Sequence, residues 1–332
     1  MATPMISIVV PFFNVDTYVK PCLDSLSSQT FSDFEIVCVD DGSTDQTAVE
    51  LYKASETDSR IKIVRKQNGG LSDARNYGVS KSAGDYVSFV DGDDIVSPYY
   101  LESLVNAMNK YDCKLAIGGF IPVNLSRIDK MAALWEKPVR LTFLDKERAV
   151  ERILYGNPML SACAHLAPKD LYLRHPFPKG LLYEDSLVFG HHVMPFESLA
   201  VVEEPIYGYV RREGSIVNTD MISFHQANEQ IQAIEYLNQI IKKELPQLSK
   251  ARRYHNTLEL SRIYRKMPDA SGDDRLDTLK YGIRRTIKRR LPAILLDGNV
   301  DVKQKARFAL LSAFPGLYNR VFDFYINQSS PF

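Results

Sequence analysis

The stretch Tyr86-Val87-Ser88-Phe89-Val90-Asp91-Gly92-Asp93-Asp94 reads as a buried strand running straight into a carboxylate-rich turn. Residues 86–90 are β-branched and aromatic, which suits a strand covered on both faces. Gly92 supplies the sharp turn and leaves room for a ligand to approach the backbone. The carboxylates of Asp91, Asp93 and Asp94 repel one another unless a cation or solvent separates them. Asp91 and Asp93 are spaced D-x-D, and hard oxygen ligands of this kind suit Mn²⁺ or Mg²⁺, ions that complete their shells with water and substrate phosphates. An acidic turn in solvent has the same composition, so the meaning of this one depends on what stands at the other strand ends.

Working outward, residues 5–11 (M-I-S-I-V-V-P) form a compact apolar strand stopped by Pro11, and Phe12-Phe13-Asn14 leads into a helix carrying Tyr18, Cys22 and Leu26 at helical spacing. Residues 34–39 read as a second buried strand. It ends in Asp40-Asp41-Gly42-Ser43-Thr44-Asp45, which can cap the helix expected over 47–54. A third strand over 61–65 is followed by the turn Asn68-Gly69-Gly70 and a helical stretch over 72–80. Strand and helix alternating through short polar turns predict an α/β domain with a mostly parallel sheet flanked by helices. In such sheets ligands sit at the carboxyl ends of strands, and the polar clusters at 11–14, 40–45 and 91–94 all fall there. Asp94 is expected to cap the helix that follows it.

Further on, Glu184-Asp185 opens a helix expected over 186–194, where the helix dipole favours carboxylates and keeps Asp185 ionised near neutral pH, as a general base requires. A strand over 201–210 precedes an exposed-looking loop, Arg211-Arg212-Glu213-Gly214-Ser215. From about residue 223 the pattern is helical to the end. There Leu276, Leu279, Ile283, Ile287 and Leu291 make an apolar stripe, with Arg284, Arg285, Lys288, Arg289 and Arg290 filling much of the rest. A basic amphipathic helix of this kind lies on an anionic membrane or packs as an interdomain or dimer helix with its charges solvated.

The totals exclude several classes. The 332 residues carry 41 basic and 41 acidic side chains, so no bulk polyanion partner such as nucleic acid is implied. The balance conceals a basic end: from Arg275 onward 11 basic residues face 4 acidic ones. Cys22, Cys38, Cys113 and Cys163 are scattered in apolar surroundings without C-x-x-C spacing, which points to buried thiols in a reducing compartment. The six histidines form no spaced metal set. Neither a signal peptide nor a membrane-spanning run is visible, so the expected location is cytoplasmic, peripheral at the inner face of the cell membrane.

Together these segments resemble the family 2 glycosyltransferases of the GT-A fold, of the type that builds bacterial polysaccharides and cell-surface glycans. The resemblance spans residues 6–218 and rests on Ser7-Ile8-Val9-Val10-Pro11-Phe12-Phe13-Asn14, Ser28-Gln29-Thr30-Phe31-Ser32-Asp33-Phe34-Glu35 and the Asp40–Asp45 segment. It continues through Asn68-Gly69-Gly70-Leu71-Ser72, Ala74-Arg75-Asn76, the D-x-D, the E-D pair and the Arg-x-x-Ser loop, in the family's order. It implies a catalytic domain over 1–220, with a donor half to about 120 and an acceptor half beyond it, and a helical C-terminal region over 221–332.

The resemblance implies that the chain moves a hexose or N-acetylhexosamine from a UDP-sugar to a glycan hydroxyl by single displacement with inversion. Pro11, Phe13 and Asn14 would border the nucleotide, although the family commonly has Tyr where Phe13 stands. Asp41 would accept from the uracil N–H, with a helix cap as its alternative role, and Asn68 would line the same site. Arg75 would lie near the base or ribose, or else form an internal salt bridge. Asp91 would hold the ribose or metal waters beside Gly92, and Asp93 would bind Mn²⁺ or Mg²⁺ directly. Asp185 would be the base, with Glu184 as competitor, and Arg212 and Ser215 would contact the diphosphate, with Arg211 the alternative to Arg212. The acceptor is expected to be a lipid-linked or protein-linked glycan, and a homodimer fits the amphipathic tail. A silent nucleotide-sugar-binding scaffold need not keep a base beside a metal site. A nucleotidyltransferase usually opens with a Gly-rich loop that Pro11-Phe12-Phe13-Asn14 lacks, and a glycoside hydrolase would leave the nucleotide-type strand order unexplained.

Overall fold

The structure, a computed structural model, describes residues 5–124, 135, 137–181, 183–210, 221–268 and 272–318. They divide into two compact units, 1–150 with 157–211, and 151–156 with 212–332.

The first unit is built on one nine-stranded sheet. Its strands are β1 (Ile6–Phe12), β2 (Phe34–Asp40), β3 (Ile61–Arg65), β4 (Tyr86–Phe89), β5 (Ile95–Val96), β6 (Ala116–Val123), β7 (Leu141–Asp145), β8 (His165–Pro168) and β9 (Ser198–Val210). The order is β3-β2-β1-β4-β8-β6-β9-β5, with β7 also on β9. Every residue of β1 and β2 is buried, as expected for apolar strands at the centre of a sheet covered by helices. The block β3-β2-β1-β4 is parallel throughout. Beyond it the sheet is mixed: β8 runs antiparallel to both β4 and β6, whereas β6 and β9 are parallel to each other.

Register carries this architecture to the site. Ile6 pairs with both Phe34 and Tyr86, and Phe12 pairs with Asp40, so the segments after Phe12, Asp40 and Phe89 leave the sheet at one edge. Because β8 is reversed, the residues that precede it, including Cys163, arrive at that same edge.

Helices α1 (Asp16–Ser27), α2 (Thr47–Thr57), α3 (Leu71–Lys81) and α4 (Tyr100–Tyr111) follow β1, β2, β3 and β5. Helix α3 is set close to β1 and β2 because Gly78 lets it approach. A Cβ there would collide with a methyl of Val9 and sit 3.0 Å from Val39 Cγ2. All four cysteines are free and buried, as expected.

In the second unit the helices Phe224–Glu244, Ser249–Lys266, Asp274–Leu295 and Val302–Ala313 surround a core containing Ile234, Tyr254, Ile263, Ile283, Ile287, Phe308 and Leu311. Ser223 and Gln226 form a capping box at the first of these helices. The apolar stripe of Asp274–Leu295 is spent on this core: Leu276, Ile283 and Ile287 are buried in it, and Leu279 and Leu291 pack against it. Among the described residues no helix is long and apolar enough to cross a membrane.

Gly78→Ala sets two effects against each other. Helix propensity favours Ala by about 1 kcal/mol, while overpacking typically costs about 1–3 kcal/mol. Val9 is fully buried within β1 and its β-branched side chain has few rotamers to turn to, so the variant is expected to be less stable. A thermal midpoint at or above that of the wild type would show that α3 does not depend on this approach.

Candidate active site

The site is centred on Arg75, which lies in α3 and is only 2% exposed. Its Nη2 donates to Asp91 Oδ1 at 2.9 Å, and its Nη1 donates to Glu184 Oε1 at 2.7 Å and Asp185 Oδ1 at 3.4 Å. The guanidinium also sits 5.3 Å above the Phe177 ring. Burial opposes the charge, but Asp91, Asp185 and Glu184 overcome it and hold the guanidinium firmly protonated. Of the two roles expected for Arg75, the structure shows the internal ion pair, and that pair joins the D-x-D turn to the E-D helix.

That helix spans Glu184–His192, with both acids in its first turn. The dipole argument fails for Asp185. Burial first, then the charges of Glu184 and Asp91, outweigh Arg75 and a hydrogen bond from the Ala162 N–H, and push the Asp185 carboxyl up to about 7. The partial charge at a helix end is too weak to offset a second carboxylate on the adjacent residue. Asp185 is therefore poised between its two protonation states near neutral pH, with 26% of its side chain exposed. His192 is not available as an acid or base. Burial lowers its pKa to about 4, its Nε2 bonds the His175 carbonyl oxygen at 2.7 Å, and Tyr172 and Phe177 pack against its ring.

The acidic turn is fixed from behind. The Asp91 N–H donates to the Tyr207 hydroxyl at 3.0 Å, and that hydroxyl donates to Asp94 Oδ2 at 2.7 Å. Asp94 Oδ1 accepts from the Val210 N–H at 2.8 Å. The expectation that Asp94 caps the next helix is thus corrected: α4 starts after Tyr99 with no side-chain cap, and Asp94 ties the turn to β9. Burial, with Asp91 and Asp93 beside it, pushes the Asp94 carboxyl well above the usual range. Gly92 also differs from expectation. A Cβ there would lie 2.5 Å from Phe12 Cδ1 and 2.7 Å from the Pro11 carbonyl oxygen, so the space beside it receives the end of β1 rather than a ligand. Asp91 and Asp93 remain partly exposed on the turn.

Along the same edge, Pro11 is buried and Phe13 is 47% exposed at the end of β1. Asn14 adopts a left-handed backbone (φ 51°), and its Oδ1 accepts from the Thr44 N–H at 2.8 Å, pinning the loop after β2. Asp41 is 2% exposed and does not cap a helix. Its oxygens accept from Lys66 Nζ at 2.7 Å and from the N–H groups of Gly69 and Gly70 at 3.0 and 2.8 Å, which shapes the turn that leaves Asn68 exposed. Lys66 also pairs with Asp73 at 2.6 Å, and Lys179 pairs with Asp73 from the far side. Arg211, Arg212 and Ser215 lie outside the described residues.

Sequence reasoning overlooked Lys66, Asp73, Lys179 and Tyr207. Lys66 had a signal, since it directly follows β3 at the same sheet edge as the other clusters. Tyr207 had none, because it reaches the turn from 116 residues away.

An α/β sheet with an acidic D-x-D turn and a poised carboxylate at its carboxyl edge defines a nucleotide-sugar transferase architecture of the GT-A type. The family model for glycosyl transferase family 2 matches residues 7–172, and the chain belongs to that family. Among relatives, the chain is 32% identical over 216 residues to the glycosyltransferase GlyA of Streptococcus pneumoniae serotype 4, covering 64% of this chain but 31% of that protein. It is 36% identical over 224 residues to the putative glycosyltransferase EpsH of Bacillus subtilis, covering 65% and 64%. The matched part thus spans about a third of GlyA and less than two thirds of EpsH. In fold the chain is similar to residues 1–349 of Staphylococcus aureus TarS, solved with UDP-GlcNAc (TM-score 0.63, 18% identity, covering 97% and 91% of the two chains). It is also similar to the mannosyltransferase PcManGT of Pyrobaculum calidifontis, solved with GDP-Man and Mn²⁺ (TM-score 0.53, 15% identity, covering 98% and 86%).

Removing one side of a buried ion cluster costs about 3–5 kcal/mol when the remaining charges stay dry. In Arg75→Gln the loss is expected at the lower end, because Asp91 and Asp185 are partly hydrated. The sign of its pH dependence follows from Asp185. A carboxyl raised above its unfolded value of 3.8 binds a proton on folding, so stability is gained as pH falls from above about 7 toward 4. The deficit of Arg75→Gln relative to wild type should therefore be larger at pH 8 than at pH 5.5. Thermal unfolding at the two pH values measures it, and an equal deficit at both would remove Asp185 from the cluster's energetics.

Proposed function

We propose that the protein transfers a hexose or N-acetylhexosamine from a UDP-sugar to a glycan hydroxyl in a single displacement that inverts the anomeric carbon. The observation that carries this reading is the Arg75 bridge, which holds a carboxyl with a pKa near 7 beside the D-x-D turn. Donor and acceptor chemistry are thereby joined in one site. The similarity in fold to TarS, solved with UDP-GlcNAc, supports a uridine donor.

In this reading the donor half lies within about 1–120 and the acceptor half within 121–220. Phe13 stacks on the base, Pro11 and Asn14 shape the loop beneath it, and Asp41 presents the Asn68-Gly69-Gly70 turn while facing the uracil edge. Asp185 accepts the proton of the acceptor hydroxyl as the oxygen attacks, and Arg75 fixes its carboxyl and pairs with Asp91. A base with a pKa near the working pH combines a large deprotonated fraction with useful basicity. Arg212 and Ser215 complete the diphosphate contacts.

Asp91 and Asp93 suit a divalent cation. Both are partly exposed hard oxygen donors, their mutual proximity raises the neighbouring Asp94, and a cation would relieve that crowding. Bound there, Mn²⁺ or Mg²⁺ would supply charge stabilisation to the departing diphosphate. The acceptor proposed is a growing surface glycan on a lipid carrier.

Release of UDP from a panel of UDP-sugars, with Mn²⁺ or with EDTA, tests the reading. One donor is expected to be turned over, with Asp93→Ala and EDTA each abolishing release and Asp185→Asn lowering kcat by about 10²–10⁴-fold. Failure of every UDP-sugar to bind would overturn the proposal. The kcat/KM of the wild type should rise with pH through about 7 and then level, because the deprotonated Asp185 is the active form. A flat profile between pH 5.5 and 8.5 would exclude Asp185 as the base.

A further inference from the structure

The helix Asp274–Leu295 buries Leu276, Ile283, Ile287 and Ile294 in its own unit. At about 3.6 residues per turn, Arg285, Lys288, Arg289, Leu295 and Leu296 fall on the opposite side, and all five are exposed. Leu296 is 87% exposed, and Val302, at the start of the next helix, is 80% exposed. Among the described residues these are the two most exposed large hydrophobic side chains.

Both belong to one fixed corner of the fold. Arg284 Nη2 donates to the Ser312 carbonyl oxygen at 3.1 Å, so the helices Asp274–Leu295 and Val302–Ala313 run antiparallel and the residues between them turn the chain. Within the turn Asp297 is buried and accepts from the Tyr155 hydroxyl at 2.7 Å and the Asn299 N–H at 3.1 Å, while Val300 joins the core. Asp301 accepts from the Gln304 N–H at 2.9 Å and caps the second helix. Single apolar side chains on a surface need no explanation, but a pinned corner that turns three of them outward is a contact surface.

Charge decides what it contacts. Between Asp277 and Asp297 the chain has no acidic residue. The exposed Arg285, Lys288 and Arg289 stand behind the apolar tip by about 10–17 Å along the helix. In a two-fold pairing of copies these cations would face one another, because such a contact sets a patch against itself. An anionic bilayer instead offers headgroups to the cations and hydrocarbon to the tip. The side that a flat-lying amphipathic helix would bury in lipid is spent on the core, so the corner must enter first.

We propose that the corner 295–302 inserts Leu295, Leu296 and Val302 into an anionic phospholipid surface, with Arg285, Lys288 and Arg289 resting on the headgroups behind it.

Flotation of the full-length protein with vesicles of phosphatidylglycerol and phosphatidylcholine, against vesicles of phosphatidylcholine alone, tests this. Binding is expected with the anionic vesicles only, and high salt should weaken it. Arg285→Gln/Lys288→Gln/Arg289→Gln should weaken it roughly fivefold for each charge removed, and Leu296→Ser/Val302→Ser by at least about tenfold. Both variants replace exposed side chains and should melt near the wild-type midpoint. Tyr236→Ser, which removes an exposed ring elsewhere in the unit, should bind as the wild type does. No flotation with the anionic vesicles, equal flotation with phosphatidylcholine alone, or either multiple variant binding like the wild type would overturn the proposal. A dimer in solution that Leu296→Ser/Val302→Ser dissolves, without flotation, would assign the corner to a second copy instead. Asp93→Ala should float as the wild type does, and the corner variants should release UDP at the wild-type rate, so this test and that of the transfer reaction fail separately.

Discussion

A buried guanidinium shared by acids from two distant parts of the chain is the interaction on which the first unit's chemistry depends. Arg75 reaches Asp91 16 residues away and Glu184 109 residues away, and among the described residues no backbone hydrogen bond joins the D-x-D turn to the E-D helix directly. Three carboxylates around one cation leave an excess of negative charge in a poorly hydrated place. That excess raises Asp185 and keeps Arg75 charged. It is also the electrostatic setting in which a cation near Asp91 and Asp93 is favourable. One local imbalance thus tunes the proposed base and prepares the proposed metal position.

The imbalance is tolerable because the surrounding elements are rigidly placed. Parallel register brings the ends of β1, β2 and β4 to one edge, and the reversed β8 adds Cys163 to it. Gly78 lets α3 carry Arg75 down against the sheet, and the missing Cβ of Gly92 lets the acidic turn rest on Phe12. Tyr207 and Asp94 hold the turn from β9. The acids therefore cannot separate to relieve their repulsion, which is the condition for a preorganised site.

The second unit shows a contrasting use of charge. The apolar stripe of the helix Asp274–Leu295 is consumed by the unit's own core, while Lys280 is buried with its Nζ on the Met267 and Pro268 carbonyls and Arg285, Lys288 and Arg289 stand exposed.

The first four strands and the polar clusters at their ends were legible from residue types, because apolar β-branched runs bounded by Asp, Asn and Gly have few other uses, and the family was legible from the resemblance of its motifs; the order of the strands in the sheet was not. The linear chain also carried the D-x-D and E-D pairs. What it could not carry was the balance of forces between them. The helix dipole near Asp185 is a local property visible in sequence, but the burial and neighbouring charges that overrule it exist only once the helix docks beside Arg75. Asp94 looked like a cap because its neighbours in sequence form a helix, yet its partners are Tyr207 and Val210, 113 and 116 residues away. Local hydrogen-bonding propensity is written in adjacent residues. Charge regulation depends on distance and dielectric, and tertiary packing alone decides those.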